Sequence, residues 1–151
     1  MNILFVCSGN TCRSPMAEAL MMKAAEDIGM ADLRASSAGI YASQGLEASM
    51  GAIEAMATRG IDLSAHRATQ LTSAHLEDAD RIICMSSSHR SAVASAGYGE
   101  KAVTLLRAAF DEGGDIGDPF GGDADEYEAV AARIEAAINA LAARLAHRAD
   151  E

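Results

Sequence analysis

Short apolar runs alternate along this chain with longer stretches whose apolar positions repeat at helical spacing. The short runs are rich in β-branched and aromatic side chains, which is typical of buried strands. We predict strands at Ile3–Val6, Leu33–Ser37, Arg81–Met85 and Ala102–Leu105. The longer stretches are rich in Ala, Glu, Leu and Met, and we predict helices at Pro15–Ile28, Leu46–Arg59, Ser87–Ala96 and Asp125–Arg148.

This alternating order predicts an α/β fold with a parallel sheet and helices on both faces, because parallel strands need crossover connections and those connections are right-handed. In such a sheet, ligands bind at the carboxyl ends of the strands. The loop that follows Val6 lies at that edge. The stretch Gly113–Gly122 carries several glycines, and we predict that it forms a loop over the same site.

Composition narrows the class of protein. The chain has 151 residues, of which 50% are hydrophobic, and this suits one domain spanning residues 1–151. No apolar run reaches the ~20 residues needed to cross a bilayer, and the first strand lacks the flanking pattern of a signal peptide. Cys7, Cys12 and Cys84 are an odd number of cysteines, so no disulfide framework is expected. We therefore expect a soluble, cytoplasmic protein in a reducing compartment.

The net charge of −10 argues against a nucleic-acid or anionic-membrane binder, because both depend on a basic face. Any phosphate site is then local. Acidic residues concentrate between Asp111 and Glu128. This concentration serves solubility in one interpretation and favours cationic substrates in the other. The oligomeric state stays open.

The stretch NILFVCSGNTCRSPMAEAL joins the first strand to the first helix. Cys7 and Arg13 enclose residues whose backbone N–H groups can curl inward as an anion-binding nest. These residues are Ser8, Gly9, Asn10, Thr11 and Cys12. The N-terminus of the following helix adds unpaired N–H groups, and the Arg13 guanidinium can pair with two phosphate oxygens. This positive field favours the thiolate form of Cys7, which would be a nucleophile aimed at phosphorus.

The segment VCSGNTCRSPMAEA resembles the signature of the low-molecular-weight protein tyrosine phosphatases, and DPFGG at Asp118–Gly122 stands where that family carries its catalytic aspartate. The segments SSAG, LSAHRATQLT and ADRIICM follow in the family's order, so the resemblance covers essentially the whole chain. It implies a four-stranded parallel sheet flanked by helices and a phosphatase with no metal or organic cofactor. Phosphorylated proteins are the implied partners.

The resemblance implies a role for each group of the site. Cys7 would form a cysteinyl-phosphate, and Arg13 with the loop amides would hold the equatorial phosphate oxygens. Ser14 would hydrogen-bond the departing thiolate. Asp118 would protonate the leaving group and then accept a proton from water.

Further residues are assigned to support and regulation. By resemblance, Asn10, Ser37 and His66 form the hydrogen-bond network that holds the loop backbone. Cys12 lies close enough in sequence to trap an oxidised Cys7 as a disulfide; the alternative is simple packing beneath the loop. The remaining histidines show no ligand spacing, so no metal site is assigned; they are His75, His89 and His147. Core positions are predicted for Cys84, Met16, Met21 and Met22.

Two departures from the commonest form of the family bear on the substrate. A bulky aliphatic residue usually stands at Thr11, and tyrosines or similar groups usually follow the Asp-Pro, where this chain has Phe120. CSGNTCRS with DPFGG resembles the bacterial protein-arginine phosphatase branch, which removes phosphate from a guanidinium nitrogen. The alternatives are a protein tyrosine phosphatase of the same fold, an arsenate reductase, and a phosphate-binding module without catalysis.

Overall fold

The computed structural model describes residues 1–149. Four strands are present: β1 (Asn2–Cys7), β2 (Arg34–Gly39), β3 (Arg81–Cys84) and β4 (Ala102–Thr104). Six α-helices separate and follow them: α1 (Arg13–Asp27), α2 (Met50–Ala57), α3 (Ser73–Asp78), α4 (Ser87–Val93), α5 (Leu105–Phe110) and α6 (Ala124–Ala149). A π-helical turn at Ala94–Tyr98 and a 3₁₀ turn at Gly99–Lys101 lead from α4 to β4.

The strands form one parallel sheet in the order β2-β1-β3-β4. The register pairs Cys7 with Gly39 and Val6 with Cys84, so the strands end at a common edge. The predicted fold class is confirmed. Because β1 is central, the loop that follows it has neighbouring loops on both sides.

Helices cover both faces of the sheet. On one face, Phe5 and Ile83 belong to a buried cluster with Met16 of α1 and Ile134 of α6. On the other face, α3 and α4 contribute the side chains Leu76 and Val93. This alternation of buried side chains along β1 is expected for a strand covered on both sides.

Several element boundaries differ from the sequence-based predictions. The second helix begins at Met50 rather than Leu46, because Leu46 and Glu47 pair with a neighbouring segment instead: Ala68 donates to the carbonyl of Leu46, and Glu47 bridges to Arg67. α1 begins at Arg13 rather than Pro15, since Met16 already donates to the carbonyl of Cys12.

Two short helices, α3 and α5, were not predicted from the sequence. α3 is only six residues long, and its N-terminus is capped by Thr72 and His75, which bond reciprocally. Leu105, predicted to end the last strand, instead begins α5. The predicted core position of Met22 is wrong, because its side chain is exposed, whereas Met16 and Met21 are fully buried.

None of the helices described between residues 1 and 149 is long and apolar enough to cross a membrane.

Candidate active site

The loop between β1 and α1 forms a cradle, defined here as residues Cys7 to Arg13. Asn10 occupies the left-handed region at φ 57°, which is uncommon for a residue other than glycine. The Asn10 side chain offsets that strain, because its Oδ1 accepts the backbone N–H of Thr69 at 2.9 Å. The cradle is therefore held in a specific, strained conformation.

Gly39, at the end of β2, permits the cradle to lie against the sheet. A Cβ atom there would lie 2.6 Å from the carbonyl oxygen of Ser8 and 2.9 Å from the backbone nitrogen of Asn10. Only glycine allows so close an approach. In the sequence, SSAG is noted only as a segment in the family's order, although a glycine after a strand is a signal for such contact.

Cys7 lies at the bottom of the cradle and is 2% exposed. Its Sγ is 2.8 Å from the hydroxyl oxygen of Ser14. Nδ2 of the Asn10 side chain lies 2.8 Å from that same Ser14 oxygen and 2.9 Å from the hydroxyl oxygen of Ser37. On the outer side, Nε2 of His66 is 2.8 Å from the carbonyl oxygen of Asn10. The structure thus brings together all the residues expected to support the cradle, and their functional role stays a prediction.

Arg13 joins the cradle to the loop that carries Asp118. Its guanidinium is buried; Nη1 donates to the carbonyl oxygen of Ile116 at 2.9 Å, and Nη2 lies 3.5 Å from Oδ2 of Asp118. The Asp118 side chain is 47% exposed, and its Oδ1 accepts the backbone N–H of Phe120. One carboxylate therefore faces both the arginine and the solvent.

A cleft of about 270 Å³ opens above Cys7. Thr11, Asp118 and Phe120 line it. Phe120 is 74% exposed, so its ring stands at the mouth of the cleft rather than in the core. The cleft is large enough for a phosphoryl group and the side chain that carries it.

Three further lining residues were missed by sequence reasoning: Tyr41, Ser43 and Leu46. Tyr41 is 85% exposed, and Leu46 is exposed as well. They follow β2, and loops at the carboxyl ends of parallel strands meet at one edge. That topological rule is the signal that identifies them.

Cys12 lies in the cradle with its side chain packed away from solvent. Its Sγ is 3.2 Å from the hydroxyl oxygen of Ser49 and 3.4 Å from that of Tyr127 on α6. Burial, together with the contact to Cys12, raises the pKa of Tyr127 above its ordinary value. The hydroxyl of Thr11 is 3.6 Å from the same sulfur.

His89 is a part of the site that sequence reasoning left without a role. The imidazole is buried, with Nε2 2.9 Å from the Ser8 hydroxyl and Nδ1 2.8 Å from the Ser86 hydroxyl. Burial, with a smaller contribution from the charge of Arg13, lowers the pKa of His89 from 6.5 to about 4. The histidine is therefore neutral at physiological pH, and its contact with Ser8 supports the cradle from the side of α4.

Across residues 1–149, no group of three or more His, Cys, Asp or Glu side chains is arranged to hold a metal ion. The chemistry available to the site consists of a thiol, a guanidinium, a carboxyl group and the backbone amides of the cradle. This combination suits transfer of a phosphoryl group through a covalent intermediate on sulfur.

Comparison with known proteins places this geometry in a family. Residues 2–150 match the family model described as low molecular weight phosphotyrosine protein phosphatase. The chain is 40% identical over 147 residues to a protein-arginine-phosphatase of Bacillus subtilis, covering 96% of this chain and 97% of the relative. It is 37% identical over 143 residues to a probable low molecular weight protein-tyrosine-phosphatase of Ralstonia solanacearum, covering 95% and 94%.

The fold is also similar to a solved structure, an arginine phosphatase whose active-site serine, introduced by a cysteine-to-serine mutation, is phosphorylated. The TM-score is 0.93 at 38% identity, and the match covers 97% of this chain and 96% of that one.

Proposed function

Because this chain belongs to the low molecular weight phosphotyrosine protein phosphatase family and is a protein phosphatase, we propose that it removes phosphate from arginine side chains of proteins. The observation that carries the proposal is the placement of Thr11, Asp118 and Phe120 around one cleft above Cys7. The relatives named protein-arginine-phosphatase, at 40% and 39% identity, support it.

In the first step, the sulfur of Cys7 attacks phosphorus, and the bond between phosphorus and the guanidinium nitrogen breaks. Asp118 gives its proton to that nitrogen, since a strongly basic leaving group departs only when protonated. Arg13 and the backbone amides of the cradle hold the three phosphoryl oxygens as charge moves through the transition state.

In the second step, water attacks the cysteinyl-phosphate. The Asp118 carboxylate accepts a proton from the water, and the sulfur–phosphorus bond breaks to release inorganic phosphate. The Ser14 hydroxyl, 2.8 Å from Sγ, stabilises the departing thiolate by a hydrogen bond. Asp118 is thereby returned to its starting protonation state.

The walls of the cleft support specificity for arginine. The Asp118 carboxyl group can pair with a guanidinium, and the exposed Phe120 ring can stack on its planar face. Thr11 lines the cleft and leaves more room than an isoleucine would at the same place. These three features suit a flat, cationic leaving group.

Phosphotyrosine is the second candidate substrate. The exposed side chains of Tyr41, Leu46 and Phe120 give the mouth of the cleft an apolar rim that suits a phenyl ring. Measuring kcat/KM on phosphoarginine and phosphotyrosine peptides of matched sequence separates the two candidates. A higher value for phosphoarginine supports the proposal, and a higher value for phosphotyrosine overturns it.

Catalysis itself is tested by hydrolysis of p-nitrophenyl phosphate. We expect turnover by the wild-type protein and none by Cys7→Ser. Absence of turnover by folded wild-type protein would favour a phosphate-binding module.

A further inference from the structure

A continuous chain of side-chain hydrogen bonds leads from α1 to the sulfur of Cys7. It begins at Glu18, whose Oε1 accepts from the Ser37 hydroxyl at 2.6 Å. Nδ2 of Asn10 donates to the hydroxyl oxygens of Ser37 at 2.9 Å and Ser14 at 2.8 Å. The chain ends where Oγ of Ser14 lies 2.8 Å from Sγ of Cys7.

The direction of this chain follows from its two far ends. A carboxylate only accepts hydrogen bonds, so Ser37 gives its single hydroxyl hydrogen to Glu18. At the other end, the backbone N–H of Thr69 only donates, and it donates to Oδ1 of Asn10 at 2.9 Å. The Asn10 amide is therefore oriented with Nδ2 toward both serines.

This orientation of the Asn10 side-chain amide affects the Ser14 hydroxyl. Its oxygen already accepts from Asn10, so its own hydrogen is available to the sulfur of Cys7. A hydrogen bond donated to a thiolate favours the ionised form. We propose that Glu18 is a positioning residue that polarises this chain so that Ser14 presents its hydrogen to Cys7; the importance of that thiolate rests on the proposed function.

The proposal predicts that removing Glu18 shifts the ionisation of Cys7 in the direction opposite to the one expected from simple charge repulsion. A carboxylate near a thiolate disfavours ionisation, so its removal would let Cys7 ionise at lower pH. Loss of the hydrogen-bond chain would instead make Cys7 ionise at higher pH. The other charged and titratable groups at the cradle are unchanged in every variant below; they are Cys12, Arg13, His66, His89, Asp118 and Tyr127.

The test is the pH dependence of Cys7 alkylation by iodoacetamide, followed by mass spectrometry of the peptide that carries it. Glu18→Met removes the acceptor at similar size and is expected to raise the pH of half-maximal reaction by about half a unit. Glu18→Gln is the matched control, because it also removes the charge but keeps a carbonyl acceptor. We expect it to stay closer to wild type than Glu18→Met does.

Combining Glu18→Met with Ser14→Ala tests whether the effect of Glu18 on Cys7 passes through Ser14. In Ser14→Ala the last link is absent, and adding Glu18→Met is expected to cause no further shift. A downward shift in both Glu18 variants, no shift in Glu18→Met, or an undiminished shift in the Ser14→Ala background overturns the proposal.

Ser37→Ala keeps the proposal falsifiable if Glu18→Met does not fold. It breaks the chain one step further along and is expected to shift the alkylation pH upward, so an unchanged pH also overturns the proposal. Alkylation needs no substrate. A wild-type protein that fails to hydrolyse phosphoarginine would therefore count against the proposed function without deciding the role of Glu18.

Discussion

Nη2 of Arg13 lies 3.5 Å from Oδ2 of Asp118, so two motifs that are far apart in the sequence meet above the thiol of Cys7. The same guanidinium donates to the carbonyl oxygen of Ile116, which ties the approach to Asp118 to the cradle. Since Arg13 is buried and Asp118 is half-exposed, the arginine acts as the fixed partner. Changes at Asp118 are therefore expected to alter the chemistry more than the cradle.

Asp118→Asn is expected to lower kcat for a phosphoarginine peptide by about 10²- to 10⁴-fold, because the amide cannot protonate the leaving nitrogen. The loss is expected to be smaller for p-nitrophenyl phosphate, whose leaving group departs with little protonation. Steady-state kinetics on both substrates measure the difference. Asp125→Asn, an exposed change in the first turn of α6, is the matched control and retains activity. Equal losses on the two substrates would contradict a general-acid role.

Thr11→Ile is expected to lower kcat/KM for phosphoarginine and to raise or preserve it for phosphotyrosine. The added methyl group fills the cleft and the hydroxyl is lost, which favours a phenyl ring; a change of this size is worth about ten- to two-hundred-fold at most. The measurement is kcat/KM on matched peptides, with the melting temperature as a check on folding. If both substrates change by the same factor, Thr11 has a structural role only.

Peroxide is expected to inactivate the wild-type protein reversibly. Peroxide oxidises the Cys7 thiolate to a sulfenic acid, and the Cys12 thiol then attacks that sulfur, forming a disulfide and releasing water. A thiol reductant restores both cysteines. Activity recovered after reduction is expected to be lower in Cys12→Ser, and equal recovery would exclude this switch.

Cys84→Ser is the control for that experiment. Cys84 is buried on the opposite face of the sheet, and burial raises the pKa of its thiol to about 12. It stays protonated and unreactive at neutral pH. Recovery in Cys84→Ser is expected to match that of the wild type.

His89 is expected to make stability depend on pH below neutrality. Its pKa falls from 6.5 to about 4 on folding, so between these values the unfolded chain binds a proton that the folded chain does not. Stability from this residue is therefore complete above about pH 6.5 and is lost progressively as the pH falls toward about 4. The melting temperature is expected to drop more between about pH 7 and about pH 5 in the wild type than in His89→Gln. Equal drops would contradict this assignment.

The sequence by itself determined the architecture and the cradle. Both are local: strand and helix periodicity is visible within each segment, and the residues from Cys7 to Arg13 are contiguous, so a nest of amides before a helix N-terminus can be predicted without tertiary contacts. Asp118 was identified by resemblance to the family, because a lone Asp-Pro in a loop is more typical of a turn.

Only the tertiary structure decided that Glu18 and His89 join the residues that support the cradle. Glu18 and Ser37 meet because α1 packs beside β2, and His89 reaches Ser8 because α4 begins at the edge where β1 ends. Such partners depend on how helices dock on a sheet, which leaves no periodic trace in the sequence. The short helix Ser73–Asp78 was missed for a related physical reason: six residues are too few to be stable alone, so capping and packing decide that it forms.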